Sequence, residues 1–358
     1  MKRTNFIVLA ALAFSWALLA TPLPAQFVYV ANEISSNISA WSLNPKTGVL
    51  TAVSGSPFST GGGPFALALH PSSRFLYVTN TGAATVSGYG IDDQTGVLTA
   101  VKGSPFSTGT GPEGVAVDPL GRFAYVVNSN DSTVSGYRID AKTGALTPVE
   151  GSPFTTGANP NSVAVDPKAE FVYVVNQPFN TVSAYRIDQK SGALTQVTGS
   201  PFPTGQGAGT VTASPTGKFA YVTNAVANTV SGYSIDHQTG ALTALSASPF
   251  ATGTRPSGVA VEPNGKFTYV TNGADHTVSG YRLDPLTGAL TPVPGSPFGA
   301  GSDANSVAID HSSHFAYVTN GQDNTVSAYI IDCDGYLLPV AGSPFPTGHF
   351  PADIAVTR

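Results

Sequence analysis

Apolar positions along the chain fall into runs of about five residues, with turn signals every 8–12 residues. No stretch sustains a 3.6-residue period, so the pattern predicts strands throughout and no helices. One 48-residue segment shows the design. Val115-Ala116-Val117 reads as a first strand, A. Asp118-Pro119-Leu120-Gly121 follows with Asp first, Pro second and Gly fourth, the chemistry of a type I turn. Strand B covers residues 123–127 and ends at Asn128; strand C covers 133–139. Thr143-Gly144 turns the chain, glycine taking positive φ at little cost, into strand D at 145–149.

The segment repeats. Ser-Pro-Phe begins at Ser56, Ser104, Ser152, Ser200, Ser248, Ser296 and Ser343. Tyr-Val-x-Asn begins at Tyr29, Tyr77, Tyr125, Tyr173, Tyr221, Tyr269 and Tyr317, always 48 residues apart. Seven copies of each marker mean seven four-stranded units, and a repeat of this period implies blades or a solenoid. The ends decide between them. The repeat opens at Phe27 with strand B and closes at Ile354-Ala355-Val356 with strand A. Allowing for one residue missing near Cys333, the span 27–357 falls four residues short of seven units, the length of the missing A–B turn. The chain therefore reads as a circle cut at one hairpin: an all-β, seven-bladed β-propeller of four antiparallel strands per blade, closed by the C-terminal strand completing the N-terminal blade. Closure removes the open sheet edges of a linear array. Strand B is apolar on both faces, as a sheet covered by neighbours on each side requires. Seven phenylalanines and seven tyrosines in strand B read as inter-blade packing.

Composition adds bounds. Charged residues are 10% of the 358, and the formal net charge is −5 with no basic run, which speaks against nucleic acid. Residues 1–25 read as a signal peptide: Lys2 and Arg3, an apolar stretch over 6–20, then Leu23-Pro24-Ala25 at a cleavage point. Residues 26–358 form the propeller as one domain, periplasmic or secreted. No membrane span is expected once the leader is removed, because nothing later is long and apolar enough. Cys333 is the single cysteine, so no internal disulfide is expected.

Tyr77-Val78-Thr79-Asn80 recurs at Tyr221, Tyr269 and Tyr317, with variants at Tyr29, Tyr125 and Tyr173. With the Thr-Gly-Ala-Leu-Thr turns, residues 27–357 resemble the YVTN-repeat, lactonase-type seven-bladed propellers. That group includes enzymes similar to 6-phosphogluconolactonase and carboxymuconate cycloisomerase, and surface propellers without assigned chemistry. The resemblance implies a site of Arg, His and acidic side chains near the central channel. Its motifs are structural and assign no numbered residue.

Chemistry on a symmetric ring needs residues that break the symmetry, and positions in the D–A and B–C loops at the channel mouth are among the most variable of the repeat. One position before strand A runs Phe65, Glu113, Asn161, Gly209, Ser257, Asn305, Ala352. Two residues earlier it runs Gly63, Gly111, Asn159, Gly207, Arg255, Asp303, Phe350. Arg255 is the one cation in these loops; His349 adjoins Phe350, and the B–C loops add Phe179 and His276. The catalytic candidates are Glu113, Asp303 or His349 as base and Arg255 as oxyanion donor, with His276 an alternative donor. Phe65, Asn161, Phe179, His276, Asn305 and Phe350 are candidate ligand-binding residues, Phe65 and Phe350 forming an apolar wall. Asp118, Asp166, Glu262 and Asp310 recur at A–B turns as caps of their own backbone, and the asparagines ending strand B read as turn residues. No metal spacing and no cofactor motif occurs.

Two functions remain, beside a purely structural role as a surface protein. The first is a scaffold that binds a small molecule, a glycan or an extracytoplasmic protein on the loop face, as a monomer. The alternative is a lactone hydrolase or cycloisomerase at the channel mouth.

Overall fold

A computed structural model describes residues 25–358; the leader expected over 1–25 lies outside them, save for Ala25. Seven antiparallel sheets follow one another along the chain. In the third, strand A (Pro112–Val117) pairs with B (Phe123–Asn128), B with C (Thr133–Ile139), and C with D (Leu146–Pro148). Each A strand packs on the A strands of both neighbouring blades, and the last returns to the first, so they line a central channel. The last strand, Pro351–Val356, pairs with Gln26–Asn32, setting Val28 opposite Val356 and Val30 opposite Ile354. Thr357 completes the join. Its N–H donates to the Phe27 carbonyl at 2.9 Å, and its Oγ1 accepts from Phe27 N at 2.8 Å. The ring closes as the repeat arithmetic requires.

The repeated motifs are explained by what they touch. Each strand B tyrosine is fully buried, and its hydroxyl donates to the glycine carbonyl in the C–D turn of the next blade. Tyr29 reaches Gly96, Tyr125 reaches Gly192, and Tyr317 closes the circle on Gly48, at 2.9, 2.9 and 3.0 Å. The strand B phenylalanine lies over the same glycine: a Cβ on Gly96 would stand 2.3 Å from the Phe27 ring. Gly96 also holds φ at +74°, so that turn needs glycine twice over.

Strand D departs from the expected 145–149. It stops at Pro148, and Phe154–Thr155 returns to pair with the far end of strand C. The gap strands one amide of strand C, and the serine of Ser-Pro-Phe satisfies it: Gly136 N donates to Ser152 Oγ at 2.9 Å. The same bond recurs at Ser56, Ser104, Ser200, Ser248, Ser296 and Ser343.

The asparagines ending strand B are more than turn residues. All seven are fully buried. Asn128 Nδ2 donates to Thr133 Oγ1 and Ser135 Oγ at 3.0 and 2.9 Å, while its Oδ1 accepts from Thr108 Oγ1 at 2.7 Å. It fastens the B–C hairpin to the incoming D–A loop. The expectation for the A–B turns holds. Asp118, Asp166, Glu262 and Asp310 each accept the backbone N–H of the strand B phenylalanine, at 2.7–2.9 Å. The core is a set of clusters at blade interfaces; in one, Phe123, Tyr125 and Val134 meet Val172, Val174 and Tyr185 of the next blade.

Two substitutions test the ring. Gly96→Ala sets a methyl into the Phe27 ring at a left-handed backbone position, and is expected to cost about 3 kcal/mol or more in urea unfolding. Gly62→Ala, with open space around it, serves as the control. Tyr317→Phe leaves the Gly48 carbonyl buried without its donor, and is expected to cost about 1–3 kcal/mol.

Candidate active site at the channel mouth

Where the D–A and B–C loops emerge, the A strands surround a cavity of about 360 Å3, with every blade contributing to its wall. Strand A begins earlier than expected, at Pro112 rather than Val115, and its pairing with strand B slips between those residues. Similar slips occur in the other six blades. A bulge of this kind frees side chains from the sheet and re-aims them, here toward the channel.

Six of the ten residues singled out from the sequence line the cavity: Phe65, Asn161, Arg255, Asp303, Asn305 and Phe350. Arg255 Nη2 and Asp303 Oδ1 form an ion pair, with Asp303 buried and Arg255 more than half exposed. The backbone under them is unusual. The position before strand A is left-handed in all seven blades, with φ from +47° at Asn159 to +73° at Gly207. Glycine suits that geometry. Arg255 at +55° and Phe350 at +56° hold it at a cost of roughly 1–2 kcal/mol each. The neighbouring blade supports them, Asn228 Oδ1 accepting from Arg255 N at 2.9 Å and Asn324 Oδ1 from Phe350 N at 2.8 Å.

The other four candidates sit elsewhere. His276 takes the place of such an asparagine: its Nδ1 accepts from Asp303 N at 3.1 Å, and it is exposed outside the wall. His349 is exposed, with its backbone N–H on Ser35 Oγ at 2.7 Å. Phe179 is 67% exposed on its B–C loop. Glu113 stands beside Ser129, outside the wall. Burial pushes its carboxyl above the usual range against the Ser129 hydrogen bond, and the charge of Glu33 adds to the rise. Of the four catalytic candidates, then, Arg255 and Asp303 meet; Glu113 and His349 do not join them at the cavity.

Asp353 went unnoticed in the sequence. It lies one residue further along strand A than the position compared there. Its counterparts are Ala66, Gly114, Ser162, Thr210, Gly258 and Ser306, so a lone carboxylate among six small residues was the available signal. Asp353 Oδ2 accepts from Leu67 N at 2.8 Å and Oδ1 from Ser306 Oγ at 2.6 Å, tying the closing blade to both neighbours. The channel reaches one edge of the side chain, while protein atoms crowd the rest. Burial raises its pKa above the ordinary 3.8, against the lowering effect of Ser306 and the Leu67 and Ile354 amides. Asn161 donates to the Ala208 carbonyl at 3.3 Å, and its own carbonyl oxygen is buried without a partner. Among the described residues no three His, Cys, Asp or Glu side chains gather about one point as metal ligands.

The sequence matches the family described as "Lactonase, 7-bladed beta-propeller" over residues 17–153, 150–205 and 198–300. No curated protein matches it. Among solved structures, a protein of Bacteroides uniformis named as a candidate 6-phosphogluconolactonase is 18% identical. The match covers 93% of this chain and 100% of that one, with a TM-score of 0.81. The periplasmic gluconolactonase of Pseudomonas aeruginosa is 19% identical over 93% and 99% of the two chains, TM-score 0.80. Hydrazine synthase of Kuenenia stuttgartiensis is 19% identical over 89% and 99%, TM-score 0.62. One architecture thus carries unrelated chemistries, and at these identities the likeness is one of fold.

Two stability measurements probe the wall. Arg255→Gly and Arg255→Ala both lose the ion pair, but alanine keeps the left-handed strain, so the glycine variant is expected to be the more stable by about 0.5–1 kcal/mol in urea. Because the folded state holds the Asp353 proton more tightly than the unfolded chain, the contribution of Asp353 falls as pH rises from 3.8 through its raised folded value. Asp353→Asn is therefore expected to melt higher relative to the parent above that window than below it, read as Tm against pH.

Proposed function

The chain belongs to the seven-bladed lactonase propeller family, and on that footing we propose that it hydrolyses a small lactone in the channel-mouth cavity, with Asp353 as general base. One observation carries the reading: a carboxylate with its pKa raised by burial lines the cavity wall, on a strand held by both neighbouring blades. A general base works best when its pKa is lifted toward the working pH. Its protein hydrogen bonds still leave a lone pair for a water.

The step follows. Asp353 takes a proton from water as the water oxygen bonds to the lactone carbonyl carbon. The tetrahedral adduct collapses by breaking the ring C–O bond. The departing oxygen takes the proton, and an open-chain hydroxy acid results. The exposed edge of the Arg255 guanidinium and the Asn305 amide, both in the wall, are the donors for the developing oxyanion. Phe65 and Phe350 cover the apolar face of the ring. The leader-like residues 1–25 support a periplasmic or secreted location, in keeping with the periplasmic Pseudomonas relative.

A second reading keeps the cavity and drops the turnover: a monomeric scaffold binding a small molecule, glycan or extracytoplasmic protein on the loop face. The pairing of Arg255 with Asp303, and the placing of Glu113 and His349 away from the cavity, favour it.

A panel of five- and six-membered lactones assayed with the purified protein separates the two. Hydrolysis is expected, with kcat/KM rising with pH through the Asp353 pKa. Asp353→Asn is expected to lower kcat by roughly 10²–10⁴-fold and to abolish that acid limb. An inert parent protein, or an Asp353→Asn variant as fast as the parent, removes Asp353 from any mechanism.

A further inference from the structure

The charges around the cavity are predominantly negative. Three ionisable groups line it, Arg255, Asp303 and Asp353, and the guanidinium is already engaged by Asp303. Above them the B–C loops carry Glu33, Asp131, Asp275 and Asp323 and no Lys or Arg. Asp131, Asp275 and Asp323 are fixed there, each accepting a backbone N–H of the adjoining D–A loop, at 2.7, 2.6 and 2.7 Å. Glu113 adds a further carboxylate at the start of strand A. The lysines and the other arginines of the ring lie elsewhere. Arg138 and Arg186, for example, reach from strand C to carbonyls in the next blade's C–D turn. A concave site walled by one sign of charge focuses its field and repels ligands of that sign.

We propose that the channel mouth is a charge filter that admits neutral, hydroxyl-rich lactones, rejects phosphorylated or carboxylated ones, and expels the hydroxy-acid product. This rests on the lactone reading. A phosphate needs free cations and bidentate donors, whereas the one guanidinium here is shared with a buried carboxylate. A neutral sugar lactone meets no such penalty, and the wall offers it Asn161, Asn305, Ser162 and Thr210 as hydrogen-bonding partners. Hydrolysis then turns a neutral substrate into an acid that ionises, shedding a proton to solvent. The product acquires the charge that the mouth repels, so turnover itself weakens its hold.

Two measurements test this. In kinetics, glucono-1,5-lactone is expected to exceed its 6-phosphate in kcat/KM by about tenfold or more at low salt. The gap should narrow near 1 M salt, where the Debye length falls to about 3 Å. In calorimetry, glucono-1,5-lactam, a neutral analogue that resists hydrolysis, is expected to bind more tightly than gluconate or 6-phosphogluconate. Asp303→Asn frees the guanidinium and is expected to strengthen 6-phosphogluconate binding while changing lactam binding less; Glu33→Gln, on the rim, should shift the anions in the same direction. Equal or tighter binding of the phosphorylated ligand, a preference indifferent to salt, or binding of none of the three overturns the filter. Failure of the parent to turn over any lactone overturns the hydrolase reading alone, since calorimetry still decides the charge preference.

Discussion

The structure depends on one contact made seven times. A tyrosine hydroxyl from strand B of one blade meets a glycine carbonyl in the C–D turn of the next, with a phenylalanine ring lying over the same glycine. A hydrogen bond of this sort adds only about 0.5–1.5 kcal/mol net, but one broken in the buried interface leaves a carbonyl unsatisfied. Repetition makes the contact cooperative, because each blade is held from both sides. Tyr317 on Gly48 ties the last blade to the first, and the pairing of Pro351–Val356 with Gln26–Asn32 completes that first blade. No disulfide contributes: the lone cysteine, Cys333, is exposed and unpaired.

That circular frame fixes what a site can be. The seven A strands stand side by side around the channel, so one position along the repeat becomes a ring of seven side chains. Six small residues and Asp353 occupy one such ring. The next ring outward mixes Phe65, Glu113, Asn161 and Asn305 with smaller residues, and Arg255, Asp303 and Phe350 project from the left-handed position before the strand. The ring offers distinct chemistry only where the repeat is broken. At Arg255 and Phe350 the break also costs backbone energy, which is where strained residues tend to concentrate in proteins. The half-buried Asp353 carboxylate, its pKa raised by burial, belongs to the same pattern.

The cavity wall was partly legible. Variation among the repeat copies marks Phe65, Asn161, Arg255, Asp303, Asn305 and Phe350, because each stands at a position where the copies differ and the loop it sits on opens at the mouth. The same comparison could not tell a cavity residue from a loop support. His276 stood out chemically, yet it does the work of the asparagines beside it, accepting a backbone N–H across the blade boundary. Asp353 escapes that comparison because residue pattern alone starts strand A three residues late, and the bulge that turns it toward the channel has no mark in residue type.

Taken alone, the sequence determined the blade count, the order of strands and the circular closure. Those follow from the spacing of residues with narrow requirements: glycine at a positive φ under a ring, tyrosine with one buried partner, serine opposite an unpaired amide. Only the tertiary structure decided which odd residues share a cavity and which of them are already engaged. Convergence depends on register, bulges and the neighbour across each blade boundary, and the partners that engage a side chain, as Asp303 engages Arg255 and Ser306 engages Asp353, lie 48 and 47 residues away in the chain.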